Sequence, residues 1–489
     1  MNIGFRVDSS YTIGTGHIYR CLNLAKDFKK KNSKPIFLSK DYPGNINNLI
    51  KKNFNLKKIK FNKFKKKLSN KDIVEDANET IIFIKKNNIK LIFIDNYQLN
   101  ELWENLVSKY CKIVLISDDL KRKTKCDYLI NYNCVYENLK NYKRLCKINC
   151  KRLIGPDYSI IKKSNNKTVA KKKKISVYLG GVDTKDYTTK IISVLKIFFF
   201  NNYEILIIIG QKNIRKKKII DEIKKYKNFK FLIGDKKNLF NSFKNSSLVI
   251  SNAGTSMYEH MTLGLKALII PQTALQKNIC KNLSITNLIN FSSSMVDIDE
   301  KKISYCLKDN ITFEKSEELK SIYDGNGSKR IVEYFKGGEN INKFKLRKVK
   351  KEDKYFLFRL ANDEAVIKNS ISAKEISFKK HQEWFEKKLA NKKTKIYIFK
   401  YKNLNVGQVR TDTGRVNNIF IDYAVSNEFR GQGLGYKMLK MIYKKIPKNM
   451  TIVALVKKNN IPSIKIFEKL GYRVIKNYNK NILKYEFKK

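Results

Sequence analysis

The sequence predicts two successive α/β domains with parallel sheets, followed by a smaller α+β domain. Three observations carry this reading. Over residues 1 to about 165, the strand-like runs "NIGFRVD", "KPIFLSK", "KLIFIDN" and "KIVLISDD" alternate with helical segments such as "LNELWENLVSKY", the pattern of strands joined by crossover helices. The pattern then restarts with "KISVYLGG", "EILIIIGQ", "FKFLIGD", "SLVISNAG" and "KALIIPQ", near-continuous apolar runs suited to a sheet covered on both faces. Beyond about residue 345, "KIYIFKYK", "LNVGQVRT" and "NNIFIDYAV" follow at hairpin-like spacing, which predicts a mainly antiparallel sheet. The expected domains are 1–165, 166–335 and 345–489. The basic stretch "KKSNNKTVAKKKK" (162–174) joins the first pair, and "FKGGENINKFK" (335–345) marks the second boundary.

Composition narrows the function classes. A length of 489 suits about three domains at ~150 residues each, and 42% hydrophobic residues can build ordinary cores. The formal net charge is +59. Its lysines are spread over every expected helix surface, and no interleaved aromatic motif of the RNA-binding type occurs, so no nucleic-acid partner is expected. The charge instead favours small anionic ligands by steering. The eight cysteines are scattered; free buried thiols are expected and no metal site. No apolar run reaches the ~18–20 residues of a membrane span, and "MNIGFRVDSS" carries no signal-peptide core. These features predict a cytoplasmic protein without membrane insertion and leave the oligomeric state open.

The first element pair is the most informative. In "RVDSSYTIGTGHIYRCLNLAK" (6–26), a strand precedes a turn holding Gly14 and Gly16. Ile18, Cys21, Leu22, Ala25 and Phe28 then fall at helical spacing, so a helix begins near His17. Glycines let a ligand approach the backbone, and a helix N-terminus offers free N–H groups to phosphate. A dinucleotide fingerprint needs a third glycine where Tyr19 stands, which excludes a nicotinamide site. His17 is one of only three histidines. On this stretch alone it is either a site residue or a local cap of a tight turn.

In the second expected domain, Gly180 and Gly181 end one strand. Gly254 ends another, with Glu259 in the helix that follows. Glycine turns at successive C-terminal strand ends suit a nucleotide. A carboxylate at Glu259 can accept two hydrogen bonds from a ribose diol. Each feature taken singly is equally an ordinary turn or a solvated glutamate.

In the third, "NEFRGQGLGYKMLKMI" (427–442) places Arg430, Gly431, Gly433 and Gly435 between a strand and an amphipathic helix. "NNIPSIKIFEKLGY" follows about 25 residues later. Together with the hairpin-spaced strands these segments resemble the GNAT family of acetyl-CoA-dependent N-acyltransferases over about residues 345–489. The resemblance implies that the Arg430–Gly435 turn holds the pyrophosphate of CoA. It places Asn460 beside CoA and runs the pantetheine between the strands "IDYAV" and "TIVAL". Many members carry a tyrosine general acid where this chain has Phe467, so Tyr472 becomes a candidate acid. Asp422 is a candidate base toward an ammonium. A structural role explains each equally well. "RLANDEAVIKNS" and "HQEWFEKKL" resemble the subgroup that acetylates the 4-amino group of nucleotide-linked amino sugars. His381 and Trp384 then either line the sugar side or pack.

The motifs "GTGHIYRCLNLA", "FIDNYQL", "ISDDL", "LIGPDYSII", "YLGGVDTKD" and "ISNAGTSMYEHMTLG" occur in that order over about 1–335. They resemble the UDP-2,4-diacetamido-2,4,6-trideoxyhexose hydrolases of pseudaminic acid biosynthesis. That family has two Rossmann-like domains in the GT-B arrangement and is related to the UDP-GlcNAc transferase of peptidoglycan synthesis. The resemblance implies that His17 activates water, that UDP is the leaving group, and that Asp8, Asp95 and Tyr97 orient the sugar or the imidazole. It implies UDP-amino-sugar substrates, acetyl-CoA as co-substrate and no metal. A glycosyltransferase acting on an acceptor other than water shares the same motifs and is the main alternative.

Overall fold

The computed structural model of the chain describes residues 1–489 except 61–63, 66, 119–120, 134–141, 143, 162–172, 184, 198–199, 212, 235, 266, 285–289, 292–297, 309–312, 337–343 and 416. Most of the connection at 162–174 and of the boundary at 335–345 therefore lies outside the described residues.

The first sheet contains β1 (Asn2–Val7), β2 (Lys34–Lys40), β3 (Asn55–Ile59), β4 (Leu91–Asp95), β5 (Lys112–Ile116), β6 (Tyr128–Asn131) and β7 (Lys151–Ile154). All pairs are parallel, in the order β3-β2-β1-β4-β5-β6-β7. Ile3, Phe5 and Val7 of β1 are fully buried. Phe5 stacks on Phe37 and Phe93 at 4.9 and 5.1 Å, tying the three central strands together. Truncating such a ring costs about 3–5 kcal/mol.

The second sheet repeats the plan with β8 (Lys174–Tyr178), β9 (Glu204–Gly210), β10 (Phe229–Gly234), β11 (Leu248–Ser251), β12 (Ala267–Ile269) and β13 (Asn290–Phe291). It is again parallel, ordered β10-β9-β8-β11-β12-β13. Both sheets have the Rossmann order, with the switch point between the first and fourth strands. The two sheets belong to one compact unit, a pair of Rossmann-like halves.

A second compact unit is built on Glu333–Lys489. Its sheet runs β14-β15-β16-β17-β18-β20-β19, from β14 (Phe344–Lys348), β15 (Thr394–Tyr401), β16 (Leu404–Thr413), β17 (Asn418–Val425), β18 (Thr451–Lys457), β19 (Arg473–Asn479) and β20 (Ile482–Lys488). Neighbours are antiparallel except β17 and β18, which pair in parallel over Asn418–Phe420 against Thr451–Val453. Beyond Phe420, β17 stays with β16 as far as Val425, and β18 stays with β20 as far as Lys457. The two strands therefore diverge and open a wedge in the middle of the sheet.

Candidate active sites

Asp95 ends β4, the strand beside β1, so it stands at the switch point of the first sheet. The turn after β1 is shaped locally. Ser10 Oγ accepts from the backbone N–H groups of Thr12 and Ile13, and Gly14 adopts φ +80°, where a side chain is strained. The helix Gly16–Lys29 follows and buries Ile18, Cys21, Leu22, Ala25 and Phe28, together with Arg20.

His17 Nδ1 lies 2.7 Å from Asp95 Oδ1. Arg20, one turn along, donates from Nε and Nη2 to the two oxygens of Asp95 at 2.5 and 2.6 Å. Its Nη1 donates to Asp118 at 2.6 Å and to the Tyr132 hydroxyl at 2.9 Å. Tyr97 donates its hydroxyl to Asp118, and its ring meets the imidazole edge-on at 4.9 Å. Arg20 Nη2 also approaches His17 Nδ1, at 3.1 Å. A carboxylate only accepts and a guanidinium only donates, so the shorter contact assigns the proton to Nδ1 and leaves Nε2 as the lone pair. The His17 side chain keeps 13% of its surface exposed, whereas Asp95 keeps none.

The electrostatics follow from this packing. Burial pushes the Asp95 carboxyl up, but Arg20 and then His17 outweigh it and hold it below the ordinary carboxylate range. Asp118 is lowered in the same way, burial opposing and Arg20 prevailing. Burial disfavours the Arg20 charge, yet Asp118 and Asp95 more than restore it. The site is thus an ionised cluster with the His17 imidazole at its edge.

Asp8 is not part of this cluster. It is buried, and its oxygens accept from Arg6, the Lys40 backbone, Ser39 and Asn96. Its lone pairs serve the fold.

The second half brings its glycines to the matching switch point. Leu179 O, after β8, accepts from Asn252 Nδ2 at 3.3 Å and Gln272 Nε2 at 2.7 Å. Gly180 has φ +108°, and a Cβ there would lie 2.9 Å from the Asn252 amide, whereas a Cβ on Gly181 would meet nothing within 4 Å. Gly254 precedes the helix Thr255–Thr262 and offers no side-chain cap, and a helix start of this kind suits an anion. A Cβ on Gly16 would meet the Thr255 side chain at 3.5 Å. The histidine turn of one half and the helix start of the other therefore face each other. Glu259 of that helix and Tyr19 both raise the Tyr178 hydroxyl further after burial has done so, which groups these three residues.

In the other unit, the turn after β17 contains Gly431 (φ +79°) and Gly433 (φ +69°), both with open space where a Cβ would be. It leads into the helix Leu434–Tyr443. Arg430 braces the turn, donating from Nε to Val425 O at 2.9 Å and from Nη2 to Asp363 at 2.5 Å. Gly435 has a packing reason: its Cβ would sit 3.1 Å from Ile466 and from Tyr423. Asn460 caps the helix Ile461–Lys469, accepting from Ser463 N at 3.3 Å. Residues 343–473 match the acetyltransferase (GNAT) domain family. The C-terminal segment is a GNAT acetyltransferase domain.

Within this GNAT domain, Asp422 has a half-exposed side chain, accepts from Gln408 Nε2 at 3.1 Å and lies 3.8 Å from Arg410. Tyr472 is buried in an aromatic cluster with Phe467, Phe487 and Tyr443, and burial pushes its hydroxyl up. His381 is also packed. It donates from Nε2 to Lys354 O at 3.2 Å, and burial lowers it to about 4. Trp384 partly covers the neighbouring apolar cluster and faces the Arg410 guanidinium at 5.6 Å. Tyr423, which the sequence reading passed over, lies on the diverging part of β17 with its hydroxyl 3.0 Å from Ser463 Oγ.

An uncharacterized protein of Methanocaldococcus jannaschii is 26% identical over 99% of this chain and 99% of its own length. A UDP-2,4-diacetamido-2,4,6-trideoxy-beta-L-altropyranose hydrolase of Campylobacter jejuni is 27% identical over 54% of this chain and 89% of its own. Among solved structures, MurG of Acinetobacter baumannii covers 69% of this chain and 99% of that one at 11% identity and a TM-score of 0.47. This chain therefore joins a segment similar to a nucleotide-sugar hydrolase to a GNAT domain. Among the described residues no helix is long and apolar enough to cross a membrane.

Arg20, Asp118 and Tyr132 were missed from sequence. The one available signal was a charged residue on an otherwise apolar helical stripe, three positions after His17.

Proposed function

We propose that the chain is a bifunctional nucleotide-sugar enzyme. Its GNAT domain acetylates the amine of a UDP-4-amino-4,6-dideoxy sugar with acetyl-CoA. Its N-terminal unit hydrolyses the resulting UDP-2,4-diacetamido-2,4,6-trideoxyhexose to UDP and free sugar, for pseudaminic acid biosynthesis. The observation that carries the hydrolytic half is the His17–Asp95 contact at 2.7 Å, at a glycine turn facing the start of the helix Thr255–Thr262. The similarity to the Campylobacter jejuni hydrolase supports the substrate class.

In this reading His17 Nε2 takes a proton from water as its oxygen attacks the anomeric carbon. The bond from that carbon to the diphosphate oxygen breaks, and UDP leaves with the electron pair. Asp95 holds the imidazole and stabilises the imidazolium that forms. The N–H groups at Gly180, Gly181 and the start of the helix Thr255–Thr262 receive the charge on the leaving diphosphate, and Glu259 takes the ribose. In the GNAT domain the N–H groups of the Arg430–Gly435 turn hold the CoA pyrophosphate, with Arg430 bracing them. Acetyl-CoA supplies the acyl group. Asp422 receives the ammonium proton, and Tyr423 is better placed than the packed Tyr472 to protonate the departing thiolate. UDP-sugars and acetyl-CoA are cytoplasmic metabolites, and the protein acts there.

The test is mass spectrometry of products from a UDP-4-amino sugar with acetyl-CoA, no acceptor being added. Diacetamido sugar and UDP are expected. Acetylated UDP-sugar that accumulates without UDP release would mean a transferase awaiting an acceptor.

A further inference from the structure

The buried polar chain behind His17 does not stop at Arg20. Asp118 Oδ1 accepts from Arg20 Nη1 at 2.6 Å and from Asn133 Nδ2 at 2.7 Å. Asn133 Oδ1 accepts from the Tyr258 hydroxyl. Asn133 follows β6 in the first half, whereas Tyr258 lies on the helix Thr255–Thr262 in the second, next to Glu259. Tyr258 also packs edge-on against Tyr132 at 5.4 Å, and Tyr132 is a further partner of Arg20. Asn133 and Tyr258 are 2% and 3% exposed, so water does not substitute for a lost link. Donors and acceptors alternate along the whole path from the Tyr258 hydroxyl to His17 Nδ1. Such matched buried networks hold one arrangement and lose it when a member is removed.

We propose that Tyr258, Asn133 and Asp118 are positioning residues for His17, transmitting the seating of the nucleotide-binding helix in one half to the imidazole in the other. The proposal rests on the reading of His17 as the base. It gives the helix two tasks. Its N-terminus and Glu259 receive the nucleotide, and Tyr258 reports its placement through Asn133 and Asp118 to Arg20 and Asp95. The path fixes helix and imidazole in one arrangement, so the base is aligned with the place that receives the leaving group. The charged and titratable groups facing the imidazole are Asp95 from β4, Arg20 from its own helix and Tyr97 after β4, with Asp118 acting through Arg20.

The test uses the full chain labelled with isotopic histidine. The chain has three histidines, and His17→Gln identifies the His17 signal. Tyr258→Phe keeps the ring and removes one hydrogen bond. It is expected to shift the His17 ring resonances and their titration midpoint, and to lower kcat for UDP release about tenfold. KM and the affinity for UDP should stay within about twofold. Asn133→Ala should behave alike, and the double variant should lose no more than either single one, because one path is broken once. Unchanged His17 signals in both variants overturn the proposal, as does a loss of UDP affinity with kcat retained. If the wild type releases no UDP from the diacetamido sugar while His17 still responds to Tyr258→Phe, the hydrolase reading fails and the positioning path stands.

Discussion

Replacing Asp95 by Asn tests the charge logic of the candidate base. With His17 neutral, Arg20 contributes +1 and Asp95 and Asp118 contribute −2, so the cluster carries −1 and becomes neutral when the imidazole takes a proton. The substitution moves both states up by one charge, and the protonated state becomes +1. Opposite charges about 4 Å apart at an effective dielectric near 20 interact by about 4 kcal/mol, which corresponds to about 10³ in rate. Asp95→Asn should therefore lower kcat for UDP release by about 10³. The assay is chromatographic quantitation of UDP from preformed UDP-diacetamido sugar, with thermal unfolding to confirm the fold and thiol release to confirm that acetyl transfer persists. UDP release within about threefold of wild type, against the expected 10³, would refute the assignment of Asp95 as the imidazole's counter-charge.

Other substitutions probe the remaining parts. His17→Ala should cost ~10²- to 10⁴-fold in UDP release with acetyl transfer intact; near wild-type release, measured by the same chromatography, would make the histidine structural. Gly433→Val places a β-branched residue at φ +69° in the expected pyrophosphate turn. It should weaken acetyl-CoA binding by calorimetry while leaving UDP release unchanged; equal affinity counts against the CoA site. Gly435→Val is a less clean probe, because its side chain would also strike Ile466 and Tyr423. Arg6→Ala leaves Asp8 and Asp76 buried without their guanidinium, and should destabilise the N-terminal unit by about 3–5 kcal/mol in urea unfolding; a change under about 1 kcal/mol, the scale of an exposed pair, would contradict this. Burial pushes the Asp76 carboxyl up, but Arg6 outweighs it and brings it to about 2, against about 3.9 in an unfolded chain. That stabilisation, about 2–3 kcal/mol, is present above pH ~4 and is lost as pH falls toward ~2; acid titration of the Arg6→Ala variant should lack this step.

The alternation of apolar runs and helical segments revealed both parallel sheets, because a strand covered on two faces must be apolar throughout. The hairpin spacing of "KIYIFKYK" and "LNVGQVRT" likewise revealed β15 and β16. Local glycine chemistry exposed the turns at Gly14 and Gly433, since positive φ favours one residue type. Long-range pairing left no such trace. Arg20 reads as a helix residue in "HIYRCLNLA", and nothing local indicates a carboxylate 75 positions away. Tyr258 and Asn133 are 125 positions apart. Asp8 has the same sequence context as a site residue, at the end of β1, yet Arg6 two positions earlier claims it. His381 shows the opposite case: a histidine near a helix start whose partner is a backbone carbonyl within the core.

Two buried arginine–carboxylate clusters share the first sheet, and their difference bears on function. Arg6 and Lys40 contribute +2, and Asp8 and Asp76 contribute −2, so that cluster sums to zero. Asp76 also accepts from the Trp103 indole, and Asp8 from Lys40 N, Ser39 and Asn96. It is neutral, hydrogen-bonded throughout and closed to solvent, which suits a structural network. The Arg20 cluster has the same ingredients but sums to −1 and ends on a partly exposed imidazole. An uncompensated buried charge is costly unless something relieves it. In the proposed reaction the −1 is relieved as His17 takes the proton of the attacking water. Arg20 sets that balance: it offsets one of the two carboxylates and leaves the charge of the other to stabilise the imidazolium as it forms.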